Sequence, residues 1–197
     1  MITLLNDLSQ GCRVTYEEGF LTASEAERWM ETLSRELPFA PESPVMFGRP
    51  VTVRRRSCAV GDPGVRYRYS GLTREAKPWP EGLQPLREAV GQRAGARFNF
   101  ALCNLYPDGA AGLGWHSDDE RDLLTDAPIA SLSLGAPRDF ALRPRAGGRA
   151  TFTVSLAPGS LLVMWGATQR FYQHRVPPRP RRAEPRVNLT FRVMRPR

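Results

Sequence analysis

The chain has 197 residues, 41% of them hydrophobic, and a formal net charge of +8. This length suits one domain with a sizeable core, and no apolar run approaches the ~20 residues of a membrane-spanning helix. The three cysteines, Cys12, Cys58 and Cys103, are odd in number and widely spaced, which argues against a disulfide framework and favours a reducing compartment.

The amino terminus and the charge bear on location and partner. The first ten residues lack the basic and apolar regions of a secretion signal, so we expect a cytoplasmic protein, associated with the nucleoid at work if the source is bacterial. The positive charge favours a polyanionic partner. Lys77 is the only lysine among 28 basic residues, but a genome rich in G and C also produces such an excess of arginine. Only the net charge therefore indicates a partner.

The first half of the chain predicts two helices. Residues 22–37 begin with a capping box, Thr22 and Glu25, and then place apolar residues at helical spacing. Residues 42–71 are rich in Arg, Gly, Pro and Tyr and contain short β-like pieces. A second helix is predicted at about 80–94, with Pro80 near its start.

The second half predicts strands joined by turns. The segments with alternating or continuous apolar character are 98–107, 129–135, 139–143, 151–156, 159–166 and 186–194. Six short strands in this arrangement favour a sandwich or a jelly roll, and with the helices the fold class is α+β. Residues 177–185 form a stiff basic connector.

One face of the last strand is polar. It carries Arg186, Asn188, Thr190 and Arg192, while the other face is apolar. Such a face is usually exposed to solvent. The strand at 98–107, however, has a face that begins apolar and ends in Asn104 and Tyr106, as at the mouth of a cavity. If both faces point inward, the two arginines need an anion to offset their burial.

Two histidines and one carboxylate form a candidate metal site. His116 and Asp118 project from the same side of an extended segment, and His174 is the only other histidine. Two histidines and a carboxylate are typical of non-haem Fe(II) oxygenases, although a zinc hydrolase uses similar ligands and a lone histidine is often structural. Arg186 follows His174 by 12 residues and could bind the carboxylate of an acid that chelates the iron.

These features together resemble the AlkB family of Fe(II)/2-oxoglutarate-dependent nucleic-acid dealkylases, and in pattern most closely its members that act on duplex DNA. The resemblance spans about residues 20–192. It rests on the motifs "NLYPDG", "WHSDDERDL", "PIASLSLGAPRDF", "GSLLVMWGATQRFYQH" and "PRVNLTFR". It implies a double-stranded β-helix, or jelly roll, in a single domain of residues 1–197. Its amino-terminal helices and nucleotide-recognition lid would occupy about 1–97, and its catalytic core about 98–197.

The resemblance also implies roles for individual residues. The expected iron ligands and catalytic residues are His116, Asp118 and His174. The expected contacts of the co-substrate 2-oxoglutarate are Asn104, Tyr106, Trp165, Arg186, Asn188 and Arg192. The expected substrate-binding residues are Phe47, Tyr67, Tyr69, Ser70 and Glu120. Among these, Glu120 would meet the target base, Tyr67 and Tyr69 would sandwich it, and Phe47 would fill the gap that the flipped base leaves.

The implied reaction is oxidative demethylation of bases such as 1-methyladenine and 3-methylcytosine, which needs Fe(II), 2-oxoglutarate and O2. The expected partner is alkylated DNA, and the expected state is a monomer that does not bind membranes. The arginines at 54–56 and 179–182 are predicted to contact phosphates. Ser117 departs from the duplex-acting members, which often carry a basic residue there.

Three alternatives remain at this point. One is the same chemistry on RNA or on single strands. Another is a 2-oxoglutarate oxygenase that acts on protein or lipid, and the third is a DNA-binding module without catalysis.

Overall fold

The structure, a computed structural model, describes residues 1–41, 45–46, 49–50, 53–69, 72–181 and 184–195. The strands, in chain order, are β1 (Ile2–Asp7), β2 (Cys12–Glu17), β3 (Ala40–Pro41), β4 (Val45–Met46), β5 (Arg49–Pro50), β6 (Arg56–Gly61), β7 (Arg66–Tyr69), β8 (Leu72–Glu75), β9 (Phe100–Tyr106), β10 (Leu113–His116), β11 (Ile129–Gly135), β12 (Arg138–Pro144), β13 (Phe152–Leu156), β14 (Ser160–Gly166), β15 (Tyr172–Val176) and β16 (Arg186–Arg192). The helices are α1 (Ala23–Glu36), α2 (Gln84–Ala94) and α3 (Thr168–Phe171). Within the described residues, no helix is long and apolar enough to cross a membrane.

The two longer helices start where their capping residues place them. At α1 the predicted capping box is confirmed, because the Glu25 amide donates to Thr22 Oγ1 and the Thr22 amide donates to the Glu25 carboxylate. The second helix starts later than predicted, at Gln84, since residues 80–83 form a turn that ends in Leu83. The carboxyl end of α2 is closed by Gly95 in the left-handed conformation, which glycine adopts at low cost.

Two antiparallel sheets form the body of the fold. The larger has the strand order β1-β2-β14-β11-β16-β9-β6-β3, and the smaller has the order β10-β15-β12-β13. The fold is therefore the expected jelly roll. Helices α1 and α2 pack on the larger sheet through a cluster that includes Leu33, Val90, Leu132, Val187 and Phe191.

Strand β16 is buried on both faces. Val187, Leu189 and Phe191 join the cluster under the helices, while Arg186, Asn188, Thr190 and Arg192 line a cavity with residues from both sheets. Strand β9 pairs with β16 in register, Asn188 opposite Asn104 and Arg186 opposite Tyr106. Both polar faces therefore point inward, which decides between the inward and the solvent-exposed orientation that the sequence left open.

The larger sheet also contains strands from the first part of the chain. Strand β2 pairs with β14 along its whole length, and β6 pairs with β9. The expected division near residue 97 therefore does not coincide with an edge of this sheet. Sequence patterns did not predict β1 or β2, whose short segments, "ITLLND" and "CRVTYE", lie on either side of a turn.

Candidate active site

Two adjacent strands of the smaller sheet bring the two histidines together. His116 ends β10 and lies opposite His174 in β15, with the ring centroids 4.2 Å apart. Asp118 follows two residues later. One possible ligand atom from each of these three residues lies within 4.8 Å of the others, and among the described residues they form the only such group. The residues that sequence spacing paired are thus close enough to hold one metal ion.

Hydrogen bonds and burial prepare these side chains for a metal. The Nδ1 atom of His116 lies 2.8 Å from the Gly114 carbonyl oxygen, which fixes the ring orientation. Burial and the nearby His116 lower the pKa of His174 to about 3, so its imidazole is neutral at neutral pH, as metal binding requires. Nδ1 of His174 is buried and has no hydrogen-bond partner within the described part of the chain.

Asp118 is held as a carboxylate by a buried arginine. Its side chain pairs with Arg192 at 2.7 Å, and both are almost fully buried. Burial alone would raise the pKa of Asp118, but the charge of Arg192, together with the two histidines, lowers it to about 2. The site therefore offers two imidazoles and one carboxylate, a donor set that suits Fe(II).

Arg186 marks the other end of the cavity and is only 1% exposed. Its Nη2 donates to Ser133 Oγ at 2.9 Å, and its guanidinium lies 5.0 Å from the centre of the Tyr106 ring. Its Nε and Nη1 have no hydrogen-bond partner among the described residues. Burial lowers the pKa of Arg186, yet an arginine remains charged. A cation with two free donors in this position fits a carboxylate.

The side-chain amides of Asn104 and Asn188, near Arg186, differ in whether they have atoms free to bind a ligand. Asn104 Oδ1 is buried and lacks a hydrogen-bond partner in the described residues. Asn188 donates to Ser131 Oγ and to the Leu132 carbonyl oxygen, and it accepts from Thr190. Asn188 therefore lines the cavity with its own polar atoms already engaged.

Glu120 enters the same cavity beside Tyr67. The Tyr67 hydroxyl donates to Glu120 Oε1 at 2.7 Å and accepts from Arg192 Nη1 at 3.0 Å. Glu120 Oε2 is buried and has no hydrogen-bond partner within the described residues. Tyr67 is only 3% exposed, and its ring packs against Phe100. Tyr67 thus orients Glu120 through its hydroxyl, while Oε2 remains free to accept from a substrate.

Comparison with known proteins shows which proteins this chain is similar to. Residues 13–192 match the family model of the 2OG-Fe(II) oxygenase superfamily. The mouse protein named DNA oxidative demethylase ALKBH2 is 41% identical over 183 residues, which cover 88% of this chain and 77% of the relative. The human protein named alpha-ketoglutarate-dependent dioxygenase alkB homolog 3 is 37% identical over 193 residues, covering 93% of this chain and 67% of the relative.

The chain belongs to the AlkB family.

It is accordingly a dioxygenase that uses Fe(II), 2-oxoglutarate and O2. The solved structure of OsALKBH1 superposes with a TM-score of 0.66 at 19% identity, covering 91% of this chain and 97% of that one. At this identity the superposition supports the fold alone, and the fold is that of the family.

One expected co-substrate contact of this AlkB-family chain lies elsewhere. Trp165 faces the helix side of β14, where its Nε1 donates to Thr15 Oγ1 at 3.2 Å and Arg13 stacks over its ring. Its neighbour Met164 points into the cavity instead. Strand alternation explains the correction, since adjacent residues face opposite sides.

Several expected substrate contacts lie beyond what the structure describes. Phe47 and Ser70 are outside the described residues, and so is the side chain of Tyr69, which belongs to β7. Their roles stay predictions.

The predicted phosphate-binding arginines differ in exposure. Arg55, for which a phosphate contact was predicted, is buried and lines the cavity. Arg54 and Arg179 are exposed and pair with Asp108 and Asp139. Arg54 and Arg179 are therefore the better placed of these three to reach a phosphate.

Sequence patterns missed two residues at the site. Arg138 is buried, and its guanidinium lies 5.5 Å from the centre of the Tyr106 ring. It donates hydrogen bonds to carbonyl oxygens of the loop before β10. Gln169 accepts a hydrogen bond from the Asp118 amide. Arg138 follows directly after a glycine-containing turn, and Gln169 has no periodic spacing to the ligands, so neither gave a signal.

Proposed function

We propose that this protein removes N-methyl groups from bases in DNA by oxidation, a direct reversal of alkylation damage. His116, Asp118 and His174 would hold Fe(II), and Arg186 would bind the distal carboxylate of 2-oxoglutarate. The observation that carries the proposal is that one cavity contains the three metal donors together with Arg186 and Glu120, each of which has a side-chain atom without a hydrogen-bond partner among the described residues. The proposed enzyme acts as a monomer in the cytoplasm, near the nucleoid if it is bacterial.

The cofactors would supply the oxidation, and the residues of the chain would position the co-substrate. Iron, 2-oxoglutarate and O2 supply the oxidation of the N-methyl carbon, after which formaldehyde leaves the base and the co-substrate leaves as succinate and CO2. Arg186 positions the co-substrate by its charge and through Nε and Nη1, which have no hydrogen-bond partner among the described residues. The side-chain oxygen of Asn104 faces the same cavity and can orient it further.

Glu120 provides the recognition of the damaged base. A methyl group inside a duplex is out of reach, so the base must be flipped into the cavity. Bases such as 1-methyladenine and 3-methylcytosine are cationic and have lost a Watson–Crick bond, so they are easier to extrude. The Glu120 carboxylate, held by Tyr67 beside the metal donors, offers a negative charge and a free oxygen to such a base. Tyr69, Phe47 and Ser70 complete the proposed contacts.

The net charge of +8 supports a nucleic-acid substrate over a protein or a lipid. Two relatives that share most of the chain are named for closely matching activities, DNA oxidative demethylase and alpha-ketoglutarate-dependent dioxygenase. RNA and single strands remain the second candidate substrates. Ser117 is the reason to test them. Its hydroxyl donates to the Tyr172 carbonyl oxygen inside the protein, so this position provides no positive charge to bind the second strand of a duplex.

The test compares methylated oligonucleotides as single-stranded DNA, duplex DNA and RNA, each incubated with Fe(II), ascorbate, 2-oxoglutarate and air. The proposal predicts formaldehyde and unmodified base from DNA. It also predicts that Asp118→Asn abolishes both. Asp126→Asn is the matched control, because it removes a surface carboxylate that pairs with Arg170, at a left-handed position that asparagine tolerates. Release of products from RNA alone, or from none of the three, contradicts the proposal.

A further inference from the structure

The short helix α3 connects β14 of the larger sheet to β15 of the smaller sheet. It is anchored at its start, where Thr168 Oγ1 donates to the Trp165 carbonyl oxygen at 2.5 Å and the Ala167 amide donates to the Gly11 carbonyl oxygen at 3.1 Å. It leads directly into β15, which carries His174. A side chain on this helix therefore has a fixed position relative to that ligand.

Gln169, on this helix, reaches the segment that carries the other ligands. Its Oε1 accepts a hydrogen bond from the Asp118 amide at 2.9 Å, and its Nε2 lies 3.1 Å from the sulfur of Met164. One residue earlier in that segment, Ser117 Oγ donates to the Tyr172 carbonyl oxygen at 2.8 Å. Two consecutive residues of the segment that carries the metal ligands are thus tied to α3 and the start of β15.

These contacts hold Asp118 from its backbone, while Arg192 holds it from its carboxylate. Asp118 is only 5% exposed, so water can do little to replace the Gln169 oxygen as acceptor. If the amide moved, the carboxylate would turn away from the two imidazoles or lose its pairing with Arg192. The distance between the three donor groups consequently depends on the Gln169 side chain.

We infer that Gln169 is a positioning residue for the metal site, one that fixes Asp118 and thereby sets the affinity for the ion. The inference rests on the proposed iron site. Gln169 itself coordinates nothing and acts through the Asp118 amide. Residues that orient metal ligands from outside typically contribute about 10- to 100-fold to metal affinity or activity.

The test measures binding of Mn(II), a redox-stable probe for Fe(II), from the loss of the paramagnetic signal of the free ion. Gln169→Ala should weaken binding by about tenfold or more. Gln169→Glu keeps a side-chain oxygen at the same reach, so it should restore the affinity to within about threefold of the wild type. Gln173→Ala is the matched control, because Gln173 also accepts side-chain hydrogen bonds, from Arg143, but on the outer side of β15.

Rescue of the metal affinity by Gln169→Glu separates the positioning of Asp118 from a general loss of stability. The inference holds if Gln169→Ala loses metal affinity and Gln169→Glu recovers it, whatever the change in metal-free melting temperature. It is overturned if Gln169→Ala binds Mn(II) within twofold of the wild type, or if Gln169→Glu is as weak as Gln169→Ala. Wild type and His116→Ala serve as the reference pair. If those two bind Mn(II) equally, the iron site itself is wrong, which is a different result from the failure of Gln169 alone.

Discussion

Replacing Arg186 with methionine should stabilise the protein in the absence of 2-oxoglutarate and remove most of its affinity for 2-oxoglutarate. The side chain is buried, its Nη2 bonds Ser133, and its Nε and Nη1 have no hydrogen-bond partner among the described residues. A buried cation in this condition opposes folding unless a ligand arrives. Methionine fills similar space without a charge.

The magnitudes follow from the two unsatisfied donors. Each buried donor without a partner destabilises the folded protein by about 1–3 kcal/mol, and methionine removes this cost. Loss of the hydrogen bond to Ser133 offsets about 1 kcal/mol of that gain. After allowing for the lost contact with the Tyr106 ring, we expect a gain of about 1–2 kcal/mol in the free energy of unfolding. Two hydrogen bonds between Arg186 and a carboxylate are worth at least about 3 kcal/mol, so the Kd for 2-oxoglutarate should rise by about a hundredfold or more.

Arg138→Met provides the contrast. This arginine lies over the same Tyr106 ring but donates to several backbone carbonyl oxygens, those of Asp108, Gly109, Ala111 and Pro177. Its removal leaves these acceptors without a donor, so it should destabilise the protein by roughly 2–4 kcal/mol.

The assay is urea unfolding with and without 2-oxoglutarate, in the presence of Mn(II), together with calorimetric measurement of the Kd. Opposite signs are expected for the two arginine variants without 2-oxoglutarate. If Arg186→Met proves less stable than the wild type by more than 1 kcal/mol, or if it still binds 2-oxoglutarate normally, the reasoning about an unsatisfied cation is refuted.

Three further predictions test the remaining parts of the site. Tyr67→Phe removes the hydroxyl between Glu120 and Arg192, so turnover of a methylated base, measured as formaldehyde, should fall about tenfold while Mn(II) affinity stays unchanged; normal turnover would contradict this. Trp165→Phe should leave the Kd for 2-oxoglutarate within twofold of the wild-type value, because the indole donates a hydrogen bond to Thr15 outside the cavity. A tenfold weaker affinity would show that Trp165 contacts the co-substrate after all. Mn(II) at a hundredfold over its Kd should stabilise the wild type by about 2.7 kcal/mol, measured by unfolding with and without a chelator, and an equal effect on His116→Ala would argue for binding elsewhere.

The sequence was sufficient where local rules decide the structure. The capping box at Thr22 and the strands that alternation predicted at β11 and β16 each have a direct physical cause, and these elements form as expected. The change from apolar to polar along one face of β9 indicated a cavity, but only the pairing of β9 with β16 in the structure shows that the polar face of β16 lines it. The metal donors followed from the scarcity of histidine and the spacing of His116 and Asp118.

Pairing between distant segments decided the rest. Strands β10 and β15 carry the histidines, but their sequences are too polar to show the apolar alternation that predicts a strand. Trp165 lies in an apolar run that is buried on both sides, so periodicity could not assign its face, and only the pairing of β14 with β2 and β11 does so. Gln169 acts through a single hydrogen bond to a residue 51 positions away, which no local pattern encodes.

The central claim is that this cavity couples the breakdown of 2-oxoglutarate to the demethylation of a DNA base. The most direct measurement is mass spectrometry of one reaction on a 1-methyladenine oligonucleotide, with succinate, formaldehyde and repaired base quantified together. The account predicts equimolar amounts of the three products from the wild type and none from His116→Ala. Succinate without repaired base on any methylated DNA strand would contradict it.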